Sequence, residues 1–213
     1  MCTGPGKAVA VIGDVEGHNV HAAALMGQVR TAIHAYAVAR KTPGRILART
    51  NQLLTDLDAD LLTSCLCADI DIARHRLRLA TAGHCPPLVR HVDHHCEILD
   101  LPPGPLLGVE PTAAFPVTDI ELPPGAVLAL YTDGLVECPA NRDDRELVRL
   151  RAAFSAAGHA LEEIADALID EAQLRGGRTD DTAMLLLRFA DRAPAADDNA
   201  ADVRAGPRGG TGA

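Results

Sequence analysis

Residues 7–26 read K-A-V-A-V-I-G-D-V-E-G-H-N-V-H-A-A-A-L-M, and the spacing of their apolar side chains changes partway along. Lys7 to Ile12 is a short apolar run ending at Gly13-Asp14, the pattern of a buried strand. From His21 to about Arg40 the pattern is helical: Leu25, Met26, Val29, Ile33 and Tyr36 recur at three- and four-residue steps. A carboxylate, Asp14, therefore stands where a buried strand gives way to a helix. Thr42-Pro43-Gly44 stops that helix, and a second is expected from about Arg45 to Thr55.

Strands follow. Ser64 to Ile70 alternates Cys65, Cys67 and Asp69 against Leu66, Ala68 and Ile70, and a turn at Asp71 to His75 leads into Arg76 to Thr81. Leu88 to Val92 and Glu97 to Leu99 form a further pair. Pro102-Pro103-Gly104-Pro105 reads as a rigid loop. Val117 to Leu122 and Ala126 to Tyr131 flank Pro123-Pro124-Gly125 and are expected to form a hairpin. Two helices are predicted over Arg145 to Phe154 and Leu161 to Leu174, then a last strand over Thr182 to Phe189. Short turns between strands imply largely antiparallel sheets. Helices arriving in pairs between groups of strands imply an α+β layered domain over residues 1–190. After Ala190 the composition shifts to Ala, Asp, Gly, Arg and Pro, and residues 191–213 are expected to be a disordered tail.

The chain of 213 residues is long enough for one domain with a sizeable core. Aromatics are 2% and Trp is absent, so that core must be built from Leu, Val, Ile and Ala. The net charge of -9 argues against non-specific nucleic-acid binding, which needs a positive surface. None of the six cysteines forms a Cys-x-x-Cys pair, which argues against a zinc ribbon. Cys65 and Cys67 share one face of a strand and read as small core residues. The sequence shows neither a signal peptide nor an apolar run long enough for a membrane span, so a reduced, cytoplasmic setting without membrane contact is expected.

Three acidic sites share one setting. Asp14 follows the first strand, Asp133 follows a strand in L-A-L-Y-T-D-G-L, and Asp180 with Asp181 precedes the last strand in G-R-T-D-D-T-A-M-L-L-L. Any one alone reads as a turn residue, because Asp is favoured in turns. Three at apolar strand ends, on one edge of a layered sheet, offer the oxygen ligands that Mg²⁺ and Mn²⁺ prefer. Spacing alone reaches a metal site of unknown purpose.

Five stretches carry a more specific signal: Gly13–Met26, L-A-T-A-G-H-C-P-P-L (Leu79–Leu88), P-L-L-G-V (Pro105–Val109), L-P-P-G-A-V-L-A-L-Y-T-D-G-L-V-E (Leu122–Glu137) and T-D-D-T-A-M-L-L-L (Thr179–Leu187). Together, and in this order, they resemble the PPM superfamily of metal-dependent (type 2C) serine/threonine protein phosphatases. The likeness is greatest to the bacterial branch of the stage II sporulation phosphatase and the sigma-factor regulators. The resemblance covers about residues 7 to 190. It implies a four-layer α-β-β-α sandwich with two ions, Mn²⁺ or Mg²⁺, at one edge of the paired sheets. On this match Asp14 bridges both metals, Val15 ligates one through its main-chain carbonyl, and Asp133 and Asp180 complete the first site, with Asp181 a weaker candidate. A water bridging the metals would be the nucleophile, with no phosphoenzyme. The substrate implied is a phosphoprotein, a small antagonist of an anti-sigma factor; the oligomeric state is not implied.

Two departures from the family pattern stand out. Asn19 occupies a position where relatives carry Gly, and Asn is expected to tolerate a left-handed turn there. Relatives also carry an upstream strand pair with a Gly-Gly-Asp motif whose Asp helps hold the second metal, whereas Met1 to Gly6 has no acidic residue. The fold is accordingly expected to be incomplete at its N-terminus. Two alternatives follow: a catalytically impaired pseudophosphatase that binds a partner, and a hydrolase of small phosphorylated molecules. His18 reads as ordering a helix start, His84 as a structural loop residue, and His91, His94 and His95 as adventitious metal binders at most.

Overall fold

Successive residues of the opening strand are buried in different cores, and the layers of the molecule follow from that alternation. The computed structural model describes residues 1–57, 61–136, 145–174 and 181–189; the expected tail lies outside them. The elements are β1 (Cys2–Gly4), β2 (Lys7–Val15), α1 (Val20–Val38), α2 (Pro43–Asp56), β3 (Thr63–Asp71), β4 (Arg76–Ala82), β5 (Leu88–Arg90), β6 (Cys96–Ile98), β7 (Thr118–Glu121), β8 (Val127–Tyr131), α3 (Arg145–Ala156), α4 (Leu161–Gln173) and β9 (Met184–Arg188). One sheet runs β1-β2-β3-β4-β7 and the other β6-β5-β8-β9, with every strand pairing antiparallel.

Along β2, Val9 and Val15 join a core shared with Leu25, Val29 and Ile33 of α1 and Ile46, Leu47 and Leu54 of α2. Ala10 and Ile12 face the other way, into a second core where Leu66, Leu77 and Leu79 of the first sheet meet Val89, Leu128 and Leu130 of the second. The far face of the second sheet, through Leu88, Val127, Ala129 and Tyr131, packs on Leu147, Leu150 and Phe154 of α3 and Ile164 and Leu168 of α4. Three cores separate four layers, the α-β-β-α sandwich expected. Each fully buried Leu between the layers contributes on the order of 2 kcal/mol by leaving water. Cys65 and Cys67 lie in the helix-side core, as their spacing implied, and burial pushes the Cys65 thiol up to about 12.

Three features differ from the sequence reading. First, the strands flanking Pro123-Pro124-Gly125 do not form a hairpin: β7 pairs with β4 in the first sheet, β8 with β5 and β9 in the second. The prolines lack the N–H groups that a ladder needs. The segment crosses between layers instead, Leu122 N–H donating to His75 O on one side and Gly125 N–H to Phe189 O on the other. Second, Asn19 is not left-handed. It is extended (φ -93°, ψ 174°) and is the N-cap of α1, its Oδ1 accepting from Ala22 N–H at 2.9 Å. The left-handed residue is Gly17, at φ 92°. Third, Cys2–Gly4, which carries no strand pattern of its own, is a strand on the edge of β2.

Candidate functional site

The inter-sheet faces of β2, β3, β4 and β8 run out of apolar residues at one end of the sandwich, and polar residues take the next positions. After Ala10 and Ile12 comes Asp14; ahead of Leu66, in the antiparallel partner, comes Ser64; after Leu77 and Leu79 comes Thr81; after Leu128 and Leu130 comes Thr132, then Asp133. Asp14 and Ser64 are directly paired in register. Here a cavity of about 470 Å³ opens, lined by Asp14, Glu16, His18, Ser64, His84, Asp133 and Asp181 among others. Among the described residues no lysine or arginine lines it.

Asp133 and Asp181 are brought together by their neighbours. Thr132 is tied to the β9 approach, its main-chain N–H donating to Ala183 O at 3.0 Å. Its buried hydroxyl accepts from Ala183 N–H at 2.9 Å and lies 3.3 Å from Asp181 O. Gly134 then passes so close that a Cβ there would stand 2.3 Å from Asp181 O. Only glycine permits that approach, and it places the Asp133 turn beside Asp181.

Of the expected site residues, Asp14, Val15, Asp133 and Asp181 therefore share one cavity. The Val15 side chain belongs to the helix-side core, leaving its main chain as the part that can face the cavity. Asp180 lies outside the described residues. Among the described residues no three His, Cys, Asp or Glu side chains gather closely enough to hold a metal by themselves. The donor set nonetheless fits a hard divalent cation: carboxylates from two sheets and a glycine that permits the tight approach.

Sequence reasoning passed over Glu16 and Ser64 and took His84 for a loop residue. Each lines the cavity, and the His84 Nδ1 lies 2.8 Å from Ser64 Oγ. Burial lowers the His84 pKa to about 4, opposed by the Tyr131 main chain. Glu16 stands beside the Asp14 motif and His84 inside the Leu79–Leu88 stretch, whereas Ser64 carried no local signal. Cys85 also lines the cavity and is disulfide-bonded, while Cys2, Cys65, Cys67 and Cys96 are free. Of the other histidines that the sequence singled out, His18 lines the cavity while His91 and His94 are engaged elsewhere. His91 pairs with Glu97 at 3.1 Å, and His94 lies 3.1 Å from Ser155 O and edge-on to His159.

The fold and this edge define the class. Residues 4–190 match the model of the stage II sporulation protein E (SpoIIE) family, and the chain belongs to that family. It is 26% identical over 129 residues to the phosphoserine phosphatase RsbU of Bacillus subtilis, across 60% of this chain and 38% of that protein. The RsbU and RsbW domains of Rv1364c from Mycobacterium tuberculosis superpose with a TM-score of 0.73 at 27% identity, over 88% of this chain and 55% of that one. The PP2C phosphatase domain and regulatory fragment of SpoIIE from Bacillus subtilis superposes with a TM-score of 0.74 at 17% identity, over 91% of this chain and 58% of that one. The chain thus spans well under two thirds of each of these proteins. No helix among the described residues is long and apolar enough to cross a membrane.

Proposed function

We propose that this chain hydrolyses phosphoserine or phosphothreonine on a protein, with Mn²⁺ or Mg²⁺ as cofactor. The observation that carries the reading is that Asp14 and Asp133, at strand ends of two different sheets, share one cavity with Asp181. A phosphate dianion entering such an acidic cavity would be repelled by the carboxylates, and divalent cations would make the site receptive to it.

Asp14, Asp133 and the main chain of Val15 would hold the ions, with Asp180 and Asp181 as further carboxylates. When bound, such ions supply water acidified enough to attack in line and neutralise charge on the phosphoryl group. The chain's own contribution is placement. Thr132 and Gly134 fix Asp133 against Asp181, and the β2–β3 pairing fixes Asp14. The amino end of α1 begins just beyond His18 at the cavity wall, and a helix amino end favours an anion close to it.

Similarity to RsbU and to the domains of Rv1364c supports a substrate among proteins that regulate sigma factors, a small phosphorylated antagonist of an anti-sigma factor being our specific reading. The first test is Mn²⁺-dependent hydrolysis of para-nitrophenyl phosphate by the purified chain, with Asp133→Asn as control. Turnover lost in the variant is expected. A phosphoprotein should then be cleaved far better than free phosphoserine; the reverse preference would point to a small-molecule hydrolase. No turnover by a folded wild-type chain would sink the enzymatic reading and leave a partner-binding pseudophosphatase.

A further inference from the structure

A phosphate group is the same on every phosphoprotein, so it cannot by itself distinguish one substrate from another. The discriminating contacts have to come from whatever else lines the cavity. Among lining side chains that are mostly polar, two leucines stand out, Leu62 and Leu106. Leu62 is 42% exposed. Leu106 is seated against Gly83, where a Cβ would stand 2.6 Å from its Cδ2, so the turn into His84 fixes its position.

The placement of both leucines follows from the strand ladder. Asp14 and Ser64 are directly paired across β2 and β3. On the other side of β3, Thr63 bridges antiparallel to Leu107, whose N–H donates to Thr63 O at 2.9 Å, and this brings Leu106 beside Ser64. Leu107 is buried in the helix-side core, so its neighbour Leu106 faces the other way, into the cavity. Asp14, Ser64 and Leu106 thus form a row across three adjacent segments. Glu16 N–H donates to Leu62 O at 2.8 Å, which extends the ladder past Val15 and sets Glu16 and Leu62 in the next row outward. Adjacent segments lie about 4.8 Å apart, so the carboxylate end of the row and its apolar end are separated by roughly 10 Å.

An extended peptide advances about 3.3 Å per residue. A segment whose phosphoserine reaches the carboxylate end therefore brings a side chain over the leucines two or three residues away. We propose that the cavity reads its substrate along this row, with the phosphate at the carboxylate end and an apolar side chain (leucine, isoleucine, valine or methionine), two or three residues from the phosphorylated one, resting on Leu62 and Leu106. The inference rests on the phosphoprotein reading given above and narrows it to a class of phosphorylated segment. An apolar side chain there displaces water from Leu62, which is favourable. An acidic one would instead meet Glu16, the neighbour of Leu62 in the outer row, and be repelled.

The test is a set of short peptides with a central phosphoserine in an alanine and glycine background, one leucine being moved through the positions on either side. Phosphate release with Mn²⁺ gives kcat/KM. The same peptides with a non-hydrolysable phosphonate in place of the phosphate give binding by fluorescence anisotropy. Leucine at one position, two or three residues from the phosphoserine, should improve both by about ten-fold over alanine, as filling an apolar pocket does. The gain in turnover should appear in KM rather than kcat, because the contact is the same before and during the reaction. In Leu62→Ser the leucine-to-alanine ratio at that position should fall close to unity. That ratio is taken within one protein, so changes in metal loading or stability cancel. A flat scan, a lysine favoured over leucine at the same position, or a ratio that survives in Leu62→Ser overturns the proposal. A leucine preference kept in binding with no turnover of any peptide leaves the recognition standing and removes the hydrolase reading instead.

Discussion

A methyl group added at Gly134 would meet the main-chain oxygen of Asp181 at 2.3 Å, with Asp181 C at 2.8 Å and Thr182 Oγ1 at 2.8 Å. Two of those three atoms are backbone, so no side-chain rotation relieves the clash. Gly134→Ala must separate the Asp133 turn from the approach to β9. The expected cost is about 1–3 kcal/mol of stability, as for other overpacked sites, with a larger effect on Mn²⁺-dependent turnover than the stability loss explains. Urea unfolding and para-nitrophenyl phosphate hydrolysis on the same preparation check this. Wild-type turnover in the variant would show that the close approach is incidental to the site. The sequence marked Asp133-Gly134 as a turn, and nothing local distinguished a turn that needs glycine for its own backbone from one that needs it for a neighbour some 47 residues away.

Between elements, the second sheet is joined to its helices by an unusual strut. Arg90 on β5 is 3% exposed, yet its guanidinium donates to Phe154 O at 3.0 Å, Ala157 O at 2.8 Å and Gly158 O at 2.7 Å, lying 5.6 Å from the Phe154 ring centroid. These carbonyls belong to the last residues of α3 and the turn beyond, groups that a helix end leaves without partners of its own. A positive charge at a helix carboxyl end is also favourable. Arg90→Met would keep the apolar stem and strand the acceptors, costing roughly 3 kcal/mol by the loss of charge-assisted bonds. Arg90→Lys should recover only part, because one ammonium cannot reproduce the planar fork. The measurement is the urea midpoint at unchanged slope. Activity per folded molecule is expected to hold, since Arg90 does not line the cavity.

Across the whole molecule, burial of titratable groups sets a window of stability. His84 has a folded pKa of about 4 against the ordinary 6.5. Between those values the unfolded chain takes up a proton that the folded one refuses. Stability is therefore lost as pH falls from 6.5 toward 4, by up to about 3 kcal/mol. Cys65 acts at the other end. Its folded pKa of about 12 against 9.0 means that the unfolded thiol ionises first, and stability is lost as pH rises above 9. Urea unfolding from pH 4 to 10 should show a maximum between these limits. In His84→Leu the acid-side decline should be shallower; an identical acid limb would show that His84 is not the group responsible.

Much of this protein was already determined by its sequence. Apolar periods of two and three to four residues marked most strands and the four helices, because the spacing of buried side chains follows directly from backbone geometry. The same alternation placed Cys65 and Cys67 in a core, and the carboxylates at strand ends announced the site edge. Only the tertiary structure decided which strands share a sheet. β7 and β8 are adjacent in the chain yet lie in opposite layers, because Leu122 and Ala126 both enter the inter-sheet core while two prolines deny the segment a ladder. It also decided that Asn19 caps α1 and that Ser64 faces Asp14 with His84 behind it. Those meetings join residues tens of positions apart. The tendency of a residue to be buried is written locally, but the identity of its neighbour depends on how the layers close.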